Sequence, residues 1–318
     1  MKRAGLLVNP TSGKSNGKGV ALANMLRDAP NVSARIINRF EQLPETLDVF
    51  ASEGVTDLFI SSGDGTIQAI QTELAERRPF KVVPRLALLP HGTTNMTAAD
   101  LGFQRGSLRD QAEFMENLEI KDLRQRPTLR VGNPQDNKPR HGMFLGAGAA
   151  AEATLYCQRA FNANNLKGNW ATLATLMTAV GRTLFTRSNP DDETRFDRPF
   201  PIELTSEGRL WCSGTHLLML STTLDKLILG ARPFWRGKTA SIRTSVFPYP
   251  VPSIPRWLLP IMYGSENRKM PQGALSFSSE SLEISCPNNF VIDGEFFSAK
   301  PGEPLKVETG HFFTYICG

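Results

Sequence analysis

Three times in the first third of the chain a short apolar run ends in a polar turn containing glycine, and residues at helical spacing follow. Leu6-Leu7-Val8 runs into Asn9-Pro10-Thr11-Ser12-Gly13-Lys14-Ser15, Asp57-Leu58-Phe59-Ile60 into Ser61-Ser62-Gly63-Asp64-Gly65-Thr66, and Leu86-Ala87-Leu88-Leu89 into Pro90-His91-Gly92-Thr93-Thr94-Asn95. The apolar runs are short and unbroken, as strands buried on both faces are. Val20 to Arg27, Thr66 to Arg77 and Thr94 to Leu101 have helical spacing, and Ala34–Ile37 with Leu43–Ser52 adds a further strand and helix. Repeated strand, turn and helix units predict a parallel sheet with helices on both faces. In such sheets the turns at the carboxyl ends of the strands are where ligands bind.

Beyond about Arg126 hairpin signals replace helical periodicity. Glu207-Gly208 separates Ile202–Thr205 from Leu217–Leu220, and Asp293-Gly294 separates Phe290–Ile292 from Glu295–Phe297. One helical stretch, Asn169 to Phe185, interrupts this region. The expected fold is an α/β N-terminal domain with a parallel sheet, residues 1–126, followed by a mostly antiparallel β second domain, residues 127–318. A length of 318 residues suits two domains, and 40% hydrophobic with 21% charged residues is an ordinary globular composition. No apolar run approaches the roughly 20 residues of a membrane-spanning helix. The run after Met1-Lys2-Arg3 stops at Asn9-Pro10, too early for a signal peptide, so a cytoplasmic location is expected. Cys157, Cys212, Cys286 and Cys317 have no metal-site or redox spacing and read as reduced thiols.

The three turns offer backbone N–H groups, small hydroxyls and helix N-termini, the ingredients of a phosphate site. Each taken alone also reads as an ordinary helix cap, and their convergence on one sheet edge is what points to a ligand. Gly13-Lys14-Ser15 is not a Walker A loop, because Val8 stands where its first glycine is required. Asp64 can place a carboxylate beside phosphates, as phosphoryl transfer requires, while reading equally as a helix N-terminal Asp. On pattern alone Asp293-Gly294 is a plain hairpin turn.

Ser62-Gly63-Asp64-Gly65-Thr66 resembles the Gly-Gly-Asp-Gly-Thr signature of the diacylglycerol kinase catalytic domain family, part of the diacylglycerol and sphingosine lipid kinase superfamily, with Ser62 in the first glycine's place. Asn9-Pro10 with Ser12-Gly13 resembles its first nucleotide loop, Leu89 to Asn95 its third, and Asp293-Gly294-Glu295 the element that closes its site from the second domain. The resemblance implies a nucleotide-binding domain like that of NAD kinases and phosphofructokinases, packed on a β-sandwich whose final strands can return to the first domain. It implies ATP and Mg2+, with nucleotide held by Asn9, Ser12, Gly13, Ser62, Gly63, Asp64, Gly65, Thr66, Gly92, Thr93 and Asn95. Asp64, Asp293 and Glu295 are the implied catalytic carboxylates, with Asp293 and Glu295 on the metal. The implied acceptor is a hydroxyl of a diacylglycerol- or sphingoid-like lipid.

Two positions depart from the family pattern. Met96 follows Asn95 where many members carry Asp, and Ala150 occupies an acidic position of a Gly-rich turn, with Glu152 either a substitute or a solvated helix residue. The alternatives are a kinase of a small soluble acceptor such as NAD, since the central Gly63-Asp64-Gly65 resembles that of NAD kinases, or, given Ala150, a nucleotide-binding regulator without turnover. Ile254 to Tyr263, apolar and framed by prolines, is expected to be a buried strand and loop; an acceptor channel or a peripheral contact at the inner membrane surface is the other reading. A net charge of +5 suits phosphate ligands or anionic membranes, and no basic run interleaved with aromatics suggests nucleic acid. No Gly-x-Ser-x-Gly elbow or metalloprotease His spacing supports a hydrolase.

Overall fold

The computed structural model describes residues 3–12, 17–92, 95–103, 106–155, 198–251, 254–263, 266, 268–286 and 289–317. The stretch from Asn169 to Phe185, expected to be helical, lies outside the described residues.

Four strands of the N-terminal half, β1 (Ala4–Val8), β2 (Val32–Ile36), β3 (Asp57–Ser62) and β4 (Arg85–Pro90), pair in parallel in the order β2-β1-β3-β4. Their period-two alternation serves two cores. Leu7, Leu58, Ile60, Leu86 and Leu88 face one side, with Leu47 and Phe50 of α2 (Leu43–Ser52) and Ile67 and Ile70 of α3 (Asp64–Thr72). Leu6, Val8, Phe59, Ala87 and Leu89 face the other, covered by α1 (Gly17–Met25) and α5 (Leu108–Asn117). Between them α4 (Met96–Leu101) follows β4. Strands apolar on both faces thus acquire helices on both faces, as the sequence predicts.

The C-terminal half is mostly antiparallel. Its strands are β5 (Leu123–Val131), β6 (Arg140–Gly142), β7 (Phe144–Gly148), β8 (Phe200–Ser206), β9 (Arg209–Thr222), β10 (Ile242–Pro248), β11 (Leu275–Ser279), β12 (Ser281–Ser285), β13 (Asn289–Ile292), β14 (Glu295–Ser298) and β15 (Leu305–Ile316). Along β8, Phe200, Ile202 and Leu204 point into the core and alternate with exposed Pro201 and Glu203. Its partner β9 begins directly after the Glu207-Gly208 turn, so the second arm of that hairpin is longer than the Leu217–Leu220 run suggested.

One strand joins the two halves. The start of β15 pairs antiparallel with β12 and β5, burying Leu305 and Val307 in the C-terminal core. Its end lies parallel to β4 at Tyr315↔Leu86, and Phe313 and Tyr315 enter the N-terminal core.

The segment Ile254–Tyr263 is a helix, α6, and the strand-and-loop expectation is wrong there. Pro255 stands in the first turn, where its missing N–H costs nothing. The rest of the run has helical rather than alternating spacing, and Leu259 and Tyr263, four residues apart, are both exposed.

Candidate active site

Parallel register brings the three turns together. Val8 pairs with Ser61 and Ser62 with Pro90, so β1, β3 and β4 end side by side and release their turns on one edge. There the backbones nearly touch. A β-carbon on Gly92 would sit 2.5 Å from the Gly63 Cα, and one on Gly63 would sit 2.9 Å from the Ser12 Oγ. Only glycine allows this approach at 92, where a β-carbon would meet backbone.

The polar side chains of the turns hold one another in place. Asn9 donates to the Thr66 Oγ1 (2.9 Å) and accepts from the Thr11 N–H and hydroxyl, fastening the first turn to the second. Asn95, at φ 49°, accepts the Gly92 N–H and donates to the Gly92 carbonyl, closing the third turn on itself. The left-handed backbone there is one that Asn tolerates. Ser62 is fully buried beneath its turn, its hydroxyl on the Gly63 carbonyl. Gly13 and Thr93 lie outside the described residues.

Two buried carboxylates from distant parts of the chain approach this edge. Asp64 opens α3, and its two oxygens accept the N–H groups of Met96 (2.9 Å) and Thr97 (3.0 Å) at the start of α4. The contact with residue 96 is made by backbone, so Met96 in place of Asp does not disturb it. Asp293 sits in the β13–β14 turn, whose central residues have φ 48° and 88°, the left-handed pair of a tight hairpin. Its oxygens accept the N–H groups of Met143 and Phe144, both at 2.9 Å. Burial raises the pKa of Asp64. Burial pushes Asp293 well above the ordinary carboxylate range, and the charge of Asp64 raises it further, so the two groups share one electrostatic environment.

Glu295 makes the direct contact across the cleft. A β-carbon on Gly65 would run into its carboxylate and stand 3.0 Å from its Cδ. The first residue of β14 therefore lies over the second residue of α3, and the missing side chain at Gly65 is the space Glu295 uses. The sequence-predicted residues Asn9, Ser12, Gly63, Asp64, Gly65, Thr66, Gly92, Asn95, Asp293 and Glu295 are thereby brought to one place.

A carboxylate oxygen that accepts one N–H keeps a second lone pair, so Asp64 and Asp293 retain coordinating capacity. Among the described residues no cluster of three or more His, Cys, Asp and Glu could cage a metal. That donor set fits an ion of the Mg2+ kind, which binds through one or two carboxylates with the remaining positions filled by phosphate and water.

Behind the carboxylates a strap ties the halves together. The His141 N–H donates to the hydroxyl of Thr72, the last residue of α3, while its ring bonds Thr128 (2.7 Å) and Glu76 (2.9 Å). Two residues later the strap supplies the amides that hold Asp293. The Arg130 hydrogen bond, against some desolvation and with help from His141, brings Glu76 down to about 2. His91 bonds Ser61 (2.9 Å) at the site's edge, and burial with the nearby Lys18 charge lowers it to about 4, so it is neutral near pH 7. His91 stood inside the third motif without an assigned role. The amides of Met143 and Phe144 and the strap from His141 carried no sequence signal, since backbone donors leave none.

Ala150 is the second residue of a helical stretch over residues 149–155 and lies against β7, with a β-carbon on Gly146 reaching 2.9 Å from its own. Glu152 is exposed on that helix, as a solvated residue would be.

The diacylglycerol kinase catalytic domain family matches residues 3–125, and the resemblance drawn from the motifs is borne out over that span. No curated protein sequence matches the chain. The whole chain superposes on a crystal structure of a diacylglycerol kinase from Bacillus anthracis str. Sterne with TM-score 0.63 and 17% identity, covering 97% of that chain. A provisionally described diacylglycerol kinase from the same organism gives 0.66 at 17% identity, over 100% of this chain and 96% of that one. An NAD kinase from Archaeoglobus fulgidus in complex with ATP gives 0.48 at 11% identity, over 99% and 93%. At these identities the likeness to the first two is one of fold.

Proposed function

We propose that the chain is an ATP-dependent lipid kinase, transferring the terminal phosphoryl group of ATP to a hydroxyl of a diacylglycerol- or sphingoid-like acceptor. The observation that carries this is the convergence of three glycine-bearing turns, backbone against backbone at Gly63 and Gly92, with Asp64, Asp293 and Glu295 gathered beside them. Residues 1–126 supply the nucleotide side and residues 127–318 the acceptor side, with β15 shared.

In this reading the phosphates lie against the turns of Ser12, Gly63 and Gly92 and against the helix N-terminus that begins at Asp64. Asp64 orients or deprotonates the acceptor hydroxyl, and Asp293 and Glu295 organise Mg2+ and the phosphates; the two roles are exchangeable. A raised carboxylate pKa suits a group that must take a proton. The acceptor oxygen forms a bond to the terminal phosphorus as the bond to ADP breaks, and the hydroxyl proton passes to the carboxylate. Mg2+, when bound, neutralises charge on the phosphates.

A nucleotide-binding regulator without turnover is the second reading, and Ala150 is the observation that favours it, because it removes an acid from the acceptor side. Incubation with labelled ATP and Mg2+ against diacylglycerol, monoacylglycerol, sphingoid bases, ceramide, NAD and buffer alone separates these. Label on a lipid is the expected outcome. Label on NAD moves the assignment to a soluble acceptor, and a thermal shift with ATP but no labelled product moves it to a regulator.

A further inference from the structure

The helix α6 carries exposed apolar side chains together with a neighbouring loop. Ile228 and Leu229 lie on the short helical turn Ile228–Gly230, and Leu259 and Tyr263 lie one turn apart on α6. The Tyr263 hydroxyl donates to the Leu229 carbonyl (3.3 Å), and the Arg232 N–H donates to the Met262 carbonyl (2.7 Å). Arg268 donates to the carbonyls of Pro260 and Arg232, so loop and helix form one surface. On it Leu229 is 78% exposed and Leu259 66% exposed.

Leu229 is also held at φ 56°, a left-handed conformation unfavourable for a branched side chain, and Gly230 follows at 72°. The Leu229 carbonyl accepts the Tyr263 hydroxyl while the side chain is sent into solvent. Such a conformation is maintained where the displayed side chain has a use.

Charge decides what that use is. Residues 226–269 hold eight basic residues and one acid, more positive charge than the +5 of the whole chain. Lys226, Arg232, Arg236, Lys238, Arg256 and Lys269 are exposed; Lys226 and Arg232 flank the Ile228–Gly230 turn, and Arg256 lies three residues before Leu259 on α6. Asp225, just outside the segment, is engaged by Arg126, Lys238 and Arg243. Apolar tips flanked by long cations match a bilayer of anionic lipid, with hydrocarbon below and negative headgroups around.

We infer that the surface of Ile228, Leu229, Leu259 and Tyr263 docks the protein on an anionic membrane. This rests on the lipid-kinase reading for its purpose and deepens it by naming the surface on which the acceptor would be met. The test is co-sedimentation of the full chain, without nucleotide, with phosphatidylcholine vesicles and with vesicles about one-third phosphatidylglycerol. Binding to the anionic vesicles alone is expected. Leu229→Gly relieves the backbone and is expected to raise the melting temperature while weakening vesicle binding about tenfold, so the loss cannot be unfolding. Lys226→Glu is expected to weaken it by at least roughly fivefold. Equal binding to both vesicles, no binding, or binding untouched by Leu229→Gly overturns the proposal. So does concentration-dependent dimerisation abolished by that variant, which gives the face to a second copy. Because no nucleotide is present, an inactive protein that binds vesicles leaves docking intact and refutes only the kinase reading, while an active one that ignores vesicles does the reverse.

Discussion

At the scale of single residues, Asp293 and Glu76 should pull stability in opposite directions with pH. The folded pKa of Asp293 lies well above its ordinary 3.8, so the native state holds its proton more tightly and its contribution fades as pH rises from about that value through the folded one. The stability of wild type relative to Asp293→Asn, from urea unfolding over a pH series, should fall as pH rises; a relative stability that climbs with pH would place the carboxylate in a different environment. The folded pKa of Glu76 is lowered from 4.5 to about 2, so its contribution is complete above 4.5 and lost as pH falls toward 2. Against Glu76→Gln, the wild-type advantage should therefore vanish on the acid limb. Gly65 offers a cleaner functional probe. An added methyl meets only the end of the flexible Glu295 side chain, so Gly65→Ala should change stability by less than about 1 kcal/mol and yet displace a carboxylate from the cleft. Turnover falling at least about tenfold with an unchanged melting temperature is expected, and unchanged turnover would remove Glu295 from the chemistry.

At the scale of elements, the legible parts were those whose local chemistry allows few alternatives. The strands β1, β3 and β4 were readable because both faces are apolar, and the β13–β14 hairpin because Asp293-Gly294 fits a turn that needs two left-handed residues. Gly294→Ala should accordingly cost about 1 kcal/mol in chemical denaturation, the expense of a β-carbon at φ 88°. The helix α6 was misread because large apolar residues suggest burial, whereas burial depends on what packs against them. At the candidate site the glycines and acids were legible as motifs, but their holders were not. Asp64 and Asp293 are each fixed by two backbone N–H groups, and any side chain except proline at 96, 97, 143 or 144 leaves those donors in place. The strap from Thr72 through His141 depends on tertiary pairing across 69 residues, which no local pattern encodes.

At the scale of the whole molecule, β15 passes from the C-terminal core into the parallel sheet and makes the position of Asp293 over Asp64 a property of the entire chain. Among the described residues no helix is long and apolar enough to cross a membrane. ATP with Mg2+ should raise the melting temperature by mass action, since it binds only the assembled turns. The most direct measurement is the transfer of label from ATP to diacylglycerol or a sphingoid base by wild type and by the Asp64→Asn, Asp293→Asn double variant, with folding checked by circular dichroism. The account predicts a labelled lipid with wild type and a rate at least about a hundredfold lower for the folded double variant. A folded double variant that labels lipid at close to the wild-type rate would contradict it.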